Sequence, residues 1–299
     1  MSTTDVNPPL VVGIDGSDAA LAALDWAASE AATDGWPLRL VYAYDEHALL
    51  PMTPPTVNGG NVGEALFAEA MKRLDAAGYG GLDVSTAAVR GAASWVLLLE
   101  QAENARGLVV GREGMGHVAE FLLGSTALSC ATHSRKSPVI VVPDGWVATD
   151  HGERVVTVGV DGTPRSAAAI EFALATASRW KARVVAVSAV RRAEPVLATA
   201  QPADAGGPSR AAERTLADAL AVPRADHADV EVDEVVVSGH PAAVLKEHAA
   251  ESDLIVIGGR GHTRVADVLL GSIARTVLHH ADRPVAVVPE HMRQDSRLD

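Results

Sequence analysis

Apolar residues in this chain fall into short continuous blocks separated by helical stripes. Val11–Ile14 is the first block and Leu38–Tyr44 the second. Between them Leu21, Leu24, Ala27, Ala28 and Ala31 recur at helical spacing, which predicts a helix over 18–33 with Ser17 as its N-cap. A Pro- and Gly-rich loop is expected over Pro51–Gly60, followed by a helix over 62–77 and a strand over Val84–Val89. A third helix after Gly91, a fourth strand at Leu108–Val110, a fourth helix and a fifth strand at Val139–Val142 complete the series. Apolar strands alternating with helices predict right-handed βαβ units and a parallel sheet covered on both faces.

The series then starts again. Leu10-Val-Val-Gly-Ile-Asp-Gly-Ser17 matches Val156-Thr-Val-Gly-Val-Asp-Gly-Thr163, and Asp15 and Asp161 set the offset at 146 residues (161 − 15). Ser137-Pro-Val-Ile-Val-Val-Pro143 matches Arg283-Pro-Val-Ala-Val-Val-Pro289 at the same offset. In the second copy Thr163 is expected to cap a helix with Pro164 in its first position. A loop over Pro195–Pro208, a helix over 209–221, a strand over Val230–Val237 and a helix from Pro241 follow. The period is that of a domain, not of a solenoid. The expected organisation is a first domain over 1–146, a linker over 147–153 and a second domain over 154–299, the boundary falling in polar Asp144–Gly152. The fold class is therefore α/β: two tandem doubly wound domains, each a five-stranded, mainly parallel sheet with helices on both faces.

Composition narrows the function classes. The net charge is −13, from 25 basic and 38 acidic residues, which argues against nucleic-acid binding. Aromatics make up 4%, so the cores must be built from Val, Leu, Ile and Ala. Trp26, Trp36, Trp95 and Trp180 read as packing residues. The single cysteine, Cys130, reads as a small buried hydrophobe, and the eleven histidines show no metal spacing. Met1–Asp5 lacks the features of a signal peptide and no apolar run reaches membrane-spanning length, so a cytoplasmic location is expected.

The candidate chemistry lies just past the strands. Gly258-Gly-Arg-Gly261 follows Leu254–Ile257, and nine residues later comes Gly271-Ser272. Gly111-Arg-Glu-Gly114 follows Leu108–Val110, and nine residues later comes Gly124-Ser125. Glycines let the backbone approach a ligand, and N–H groups at a helix start converge on an anion. Thr126 adds a hydroxyl in the first copy, and Arg260 and Arg264 supply positive charge in the second, where the first has Glu113 and His117. An acidic Glu113 beside phosphates opposes binding unless it turns away or meets magnesium. Asp15 and Asp161 end the first strand of each copy on the same edge as the glycine motifs, where ligands of open α/β sheets bind. Each also has the position of a turn or cap aspartate. The chain has no P-loop, no nucleophile elbow and no kinase motif set.

The pattern Gly-x-x-Gly-x9-Gly-[Ser/Thr] with an early Asp-Gly-[Ser/Thr], present twice, resembles the universal stress protein family over essentially the whole chain. The resemblance implies an adenine-nucleotide alpha-hydrolase-like fold that binds ATP, with magnesium at the phosphates. Gly258, Gly261, Gly271 and Ser272, and likewise Gly111, Gly114, Gly124 and Ser125, match the family's nucleotide motif. Ile273 would add a backbone N–H. The resemblance implies that Asp15 and Asp161 face adenine or ribose, that Gly13 and Gly159 leave room for the ligand, and that the backbone of Val41 and Val187 meets the adenine edge. It also implies pairing of the two copies as a pseudo-dimer within one chain, and a homodimer of chains. The functional expectation is a nucleotide-dependent regulatory, stress-response module without efficient catalysis. The alternatives are an interaction scaffold with structural glycine loops, and a slow ATPase.

Overall fold

A computed structural model describes residues 7–45, 59–98, 105–114, 123–148, 152–190, 207–259 and 270–290. The chain divides into two compact units, Met1–Asp150 and His151–Asp299. The first unit holds strands β1 (Leu10–Gly13), β2 (Leu38–Tyr44), β3 (Val84–Arg90), β4 (Gly107–Gly111) and β5 (Val139–Val142). Its helices are α1 (Asp18–Asp34), α2 (Gly59–Ala76), α3 (Ala93–Val96) and α4 (Ser125–His133). The second unit holds β6 (Val155–Gly159), β7 (Arg183–Val190), β8 (Val232–Ser238), β9 (Leu254–Gly258) and β10 (Val285–Val288). Its helices are α5 (Ala167–Trp180), α6 (Gly207–Asp226), α7 (Pro241–His248) and α8 (Ser272–His280).

Within the first unit the strands pair in parallel in the order β3-β2-β1-β4-β5, and within the second in the order β8-β7-β6-β9-β10. The strand order reverses beside β1 in one unit and beside β6 in the other, which creates a crevice at the carboxyl ends of the strands. The β1 segment Leu-Val-Val is almost fully buried, and every residue of β5 and β10 is buried, as expected for strands covered on both faces. Helices α1 and α2 pack together on one face of the first sheet, and α3 and α4 pack together on the other. In the second unit α5 and α6 make one layer, and α7 and α8 the other. Leu24, Leu38, Leu40, Leu74 and Leu108 fill the first core, and Ile170, Leu174, Leu216, Leu220 and Leu254 the second.

Two helices begin before their expected starts, at Gly59 and Gly207 rather than 62 and 209. At Gly59 packing overrides glycine's poor helix propensity, because this turn lies flat on the Tyr44 ring and leaves no room for a side chain. One turn later a side chain on Gly63 would meet Ala88 Cβ at 2.9 Å and Tyr42 Cδ1 at 3.0 Å. Helix α6 also continues through Pro223 to Asp226, although the proline cannot donate to the Ala219 carbonyl and leaves the last turn one backbone bond short. The remainder of the two expected loops, 51–58 and 195–206, lies outside the described residues.

Trp26 and Trp36 are buried, and Arg106 lies 4.5 Å over the Trp36 ring; Arg154 lies 4.9 Å over Trp180. Trp95 corrects the expectation of packing: 62% of it is exposed. Helix α3 buries Val96, and Trp95, one position earlier, falls on its outer side.

Cys130 is fully buried, and that burial pushes its thiol up to about 12. The native protein is therefore expected to resist alkylation by iodoacetamide at pH 8 and to react once unfolded. Mass spectrometry before and after denaturation reads the outcome. No helix among the described residues is long and apolar enough to cross a membrane.

Candidate functional site

The site begins with a turn that glycine makes possible. β1 ends, Asp15 follows, and Gly16 takes φ 88°; in the second unit Gly162 takes φ 73° after Asp161. These are left-handed conformations that other residues adopt at a cost. The turn brings Ser17 back over Asp15, whose Oδ1 accepts the Ser17 N–H at 2.9 Å and the Ser17 hydroxyl at 2.6 Å. The same Ser17 oxygen accepts the Ala20 N–H at 3.2 Å, so it is the N-cap of α1.

The second unit divides that work. Thr163 donates to Asp161 Oδ1 through its N–H at 3.0 Å and its hydroxyl at 2.7 Å, but makes no side-chain cap bond, which corrects the expected cap. Pro164 starts a short 3-10 turn in which the Ser166 N–H bonds the Thr163 carbonyl at 3.0 Å, so the backbone takes the bond a cap would have made. Ser166 donates to Asp161 Oδ1 at 2.5 Å and accepts the Asp161 N–H at 3.2 Å. Ser17→Ala is therefore expected to cost about 1 kcal/mol of stability, and Thr163→Ala clearly less. Parallel thermal melts of the two variants test the difference.

The glycine motif closes in the same way in both units. In the first, the Gly124 N–H donates to the Arg112 carbonyl at 2.7 Å; in the second, the Gly271 N–H donates to the Gly259 carbonyl at 3.2 Å. Each bond clamps the strand end to the start of the following helix, α4 or α8. Gly124 and Gly271 are the N-caps and make no side-chain cap bond. The first-turn amides of Ser125 and Thr126, and of Ser272 and Ile273, are thus left to backbone, solvent or ligand. Ser125 and Ser272 are exposed at these ends.

Asp15 and Gly114 are brought together: a side chain on Gly114 would lie 3.1 Å from Asp15 Oδ2. Glu113 turns to its neighbour, its carboxylate 3.8 Å from Arg112 Nε, with both side chains largely buried. Glu113 and Gly114 also border a cavity of about 380 Å³ lined by Ser17, Asp18, Arg73 and Trp146. Arg73 is fixed there by a bidentate pair with Asp25 at 2.8 and 2.6 Å.

Other expected positions serve packing. The room beside Gly13 is taken by Leu97 Cδ1 at 3.2 Å and Val110 Cγ1 at 3.4 Å, and that beside Gly159 by Leu245 Cδ1 at 3.1 Å. A side chain on Gly111 would strike the Ala19 backbone, its Cβ 2.5 Å from the carbonyl carbon, so this glycine lets α1 cross β4. Gly258 holds the corresponding last position of β9, opposite Val288. Val41 and Val187 are buried, and their carbonyls accept the N–H groups of Ile14 and Val160, both at 2.9 Å. Arg260, Gly261 and Arg264 lie outside the described residues.

Tyr42 and Ser166 did not stand out in the sequence. Burial pushes the Tyr42 phenol up, with further pushes from the Asp15 carboxylate and from Tyr44, whose ring stacks at 6.1 Å. Tyr42 thus lies within the field of Asp15. The second strand's alternation signals that Tyr42 and Val41 face opposite ways, but not which carboxylate lies nearby.

A doubly wound unit with a clamped glycine loop, an uncapped helix start and an Asp-Gly turn at one sheet edge, present twice, defines a class. The universal stress protein family model matches residues 7–143 and 153–289. The chain belongs to the universal stress protein family. It is 32% identical over 284 residues to universal stress protein Rv2005c of Mycobacterium tuberculosis, covering 93% of this chain and 96% of that one. It is 30% identical over 299 residues to universal stress protein Rv2623 of the same organism, covering 98% and 100%. The crystal structure of a universal stress protein from Archaeoglobus fulgidus shares the fold, with a TM-score of 0.68 at 17% identity over 97% of this chain and 98% of that one.

Proposed function

We propose that this protein is a nucleotide-dependent regulatory module whose two units each hold an adenine nucleotide, ATP with magnesium, at the carboxyl edge of the sheet. The observation that carries the reading is the repeated clamp, which sets an uncapped helix start against the glycine loop in both units. Phosphate oxygens would accept the first-turn amides and the hydroxyls of Ser125, Thr126 and Ser272. Asp15 and Asp161 would accept donors from ribose or adenine. In the first unit, Gly114 beside Asp15 leaves the carboxylate accessible from the loop side. Glu113 beside Arg112 removes much of the objection raised by its charge. Arg260, Gly261 and Arg264 complete the second site in this reading. Magnesium bound with the phosphates would add positive charge to that of Arg112 in the first loop.

The nucleotide would regulate by favouring one state of the protein over another. The pairing of the two copies and a homodimer of chains belong to the same reading, and light scattering at twice the chain mass tests the latter. The scaffold reading draws on one observation, the tight packing that alone accounts for Gly111. Thermal shift separates the two. A nucleotide present at a hundred times its dissociation constant adds about 2.7 kcal/mol. At roughly 2–4 °C per kcal/mol for units of this size, that raises the melting temperature by about 5–11 °C. No shift with millimolar ATP and magnesium favours the scaffold.

A further inference from the structure

The second unit carries a groove that the nucleotide reading does not use. It lies between α7 and α8, with a volume of about 550 Å³. Ala242, Ala249, Ile255, Val277 and Ala281 form its buried floor. His240, Lys246, His280 and Arg283 stand around it, with Asp282 as the acidic residue. Among the described residues, neither Lys246 nor Arg283 is paired with a carboxylate; Arg283 reaches the Ala250 carbonyl at 3.4 Å. The chain as a whole carries −13, whereas the two cations of this rim outnumber its one carboxylate.

The first unit differs at the equivalent turn. A side chain on Gly91 would meet Val96 Cγ2 at 2.9 Å, and one on Gly239 would meet Val244 Cγ2 at 2.8 Å, so the two turns are equivalent. That equivalence places Trp95 where the second unit has Ala243. An indole thus stands in the first unit where a methyl group borders the groove in the second.

An apolar floor of this volume is in the range of small-molecule sites, and its charged rim selects the ligand's head group. The geometry points to a binding site for a small amphiphilic anion, an acyl carboxylate whose chain lies on the alanine floor and whose head group meets Lys246 and Arg283.

Decanoate titrated calorimetrically into the full chain tests it, with decanol as the neutral control. One saturable decanoate site per chain is expected, with decanol at least about tenfold weaker. Ala243→Trp, a residue that the first unit tolerates at this position, should weaken decanoate at least about tenfold. The double variant Lys246→Glu/Arg283→Glu should do the same without filling the groove. Absence of saturable decanoate binding overturns the proposal, and so does unchanged affinity in the double variant. Equal binding of decanol and decanoate also overturns it, since the rim would then select nothing.

Discussion

Gly111→Ala is expected to destabilise the first unit by about 3 kcal/mol, lowering its melting temperature by roughly 6–12 °C. The cause is local and backbone-based. The added carbon would lie 2.5 Å from the Ala19 carbonyl carbon and 2.7 Å from both the Ala19 oxygen and Cβ. No side-chain rotation relieves a clash with the start of a helix. Helix α1 would have to lift off β4, loosening buried Leu24, Ala27 and Ala31. Gly81→Ala is the matched control, since its added carbon meets nothing within 4 Å and the change should be nearly neutral. Calorimetric melts of both variants decide the matter. A Gly111→Ala transition within about 1 °C of the native one would mean that the helix crossing is not tight.

Gly114→Asp is expected to empty the nucleotide site proposed for the first unit, weakening it roughly 100-fold. The new side chain would start 3.1 Å from Asp15 Oδ2 and set a second carboxylate where the ligand's donors should be. Like charges a few ångströms apart in a partly buried site repel by up to about 4 kcal/mol. Gly114 is half-buried and its φ lies outside the left-handed range, so the backbone can accept the change, but the same repulsion acts without ligand and the variant should melt lower than the native protein. Bound nucleotide should fall by one per chain while the second unit retains its own. If occupancy is unchanged, Asp15 and Gly114 do not meet the ligand.

Much of the fold was legible because strand burial writes itself into composition. Val139–Val142 and Val285–Val288 are four-residue apolar blocks, and each is a strand with those bounds. Leu38–Tyr44 is likewise a strand as read. What could not be read depends on partners distant in sequence. Gly59 joins a helix because an aromatic ring lies beneath it, and no local propensity signals that. Thr163 has the residue type of a cap, but Pro164 tightens the following turn and the hydroxyl goes to Asp161 instead. Trp95 has the composition of a core residue, yet it sits on the outer side of α3 beside buried Val96.

The candidate site divides similarly. The residue types and spacings of both glycine motifs were legible, as was the placement of Asp15 and Asp161 after the first strands. That Gly114 lies against Asp15 while Gly111 serves helix packing required the fold, since the two glycines are chemically identical. Tyr42 entered only through the fold, which buries it within the field of the Asp15 carboxylate.

The most direct test of the central claim is to purify the protein without added nucleotide, soak it in ATP and magnesium, remove the excess, denature it and measure adenine nucleotide per chain by chromatography. About two per chain are expected, one for each clamped glycine loop, as with any pair of formed sites held well above their dissociation constants. No nucleotide after soaking would contradict the claim and leave the glycine loops a purely structural role.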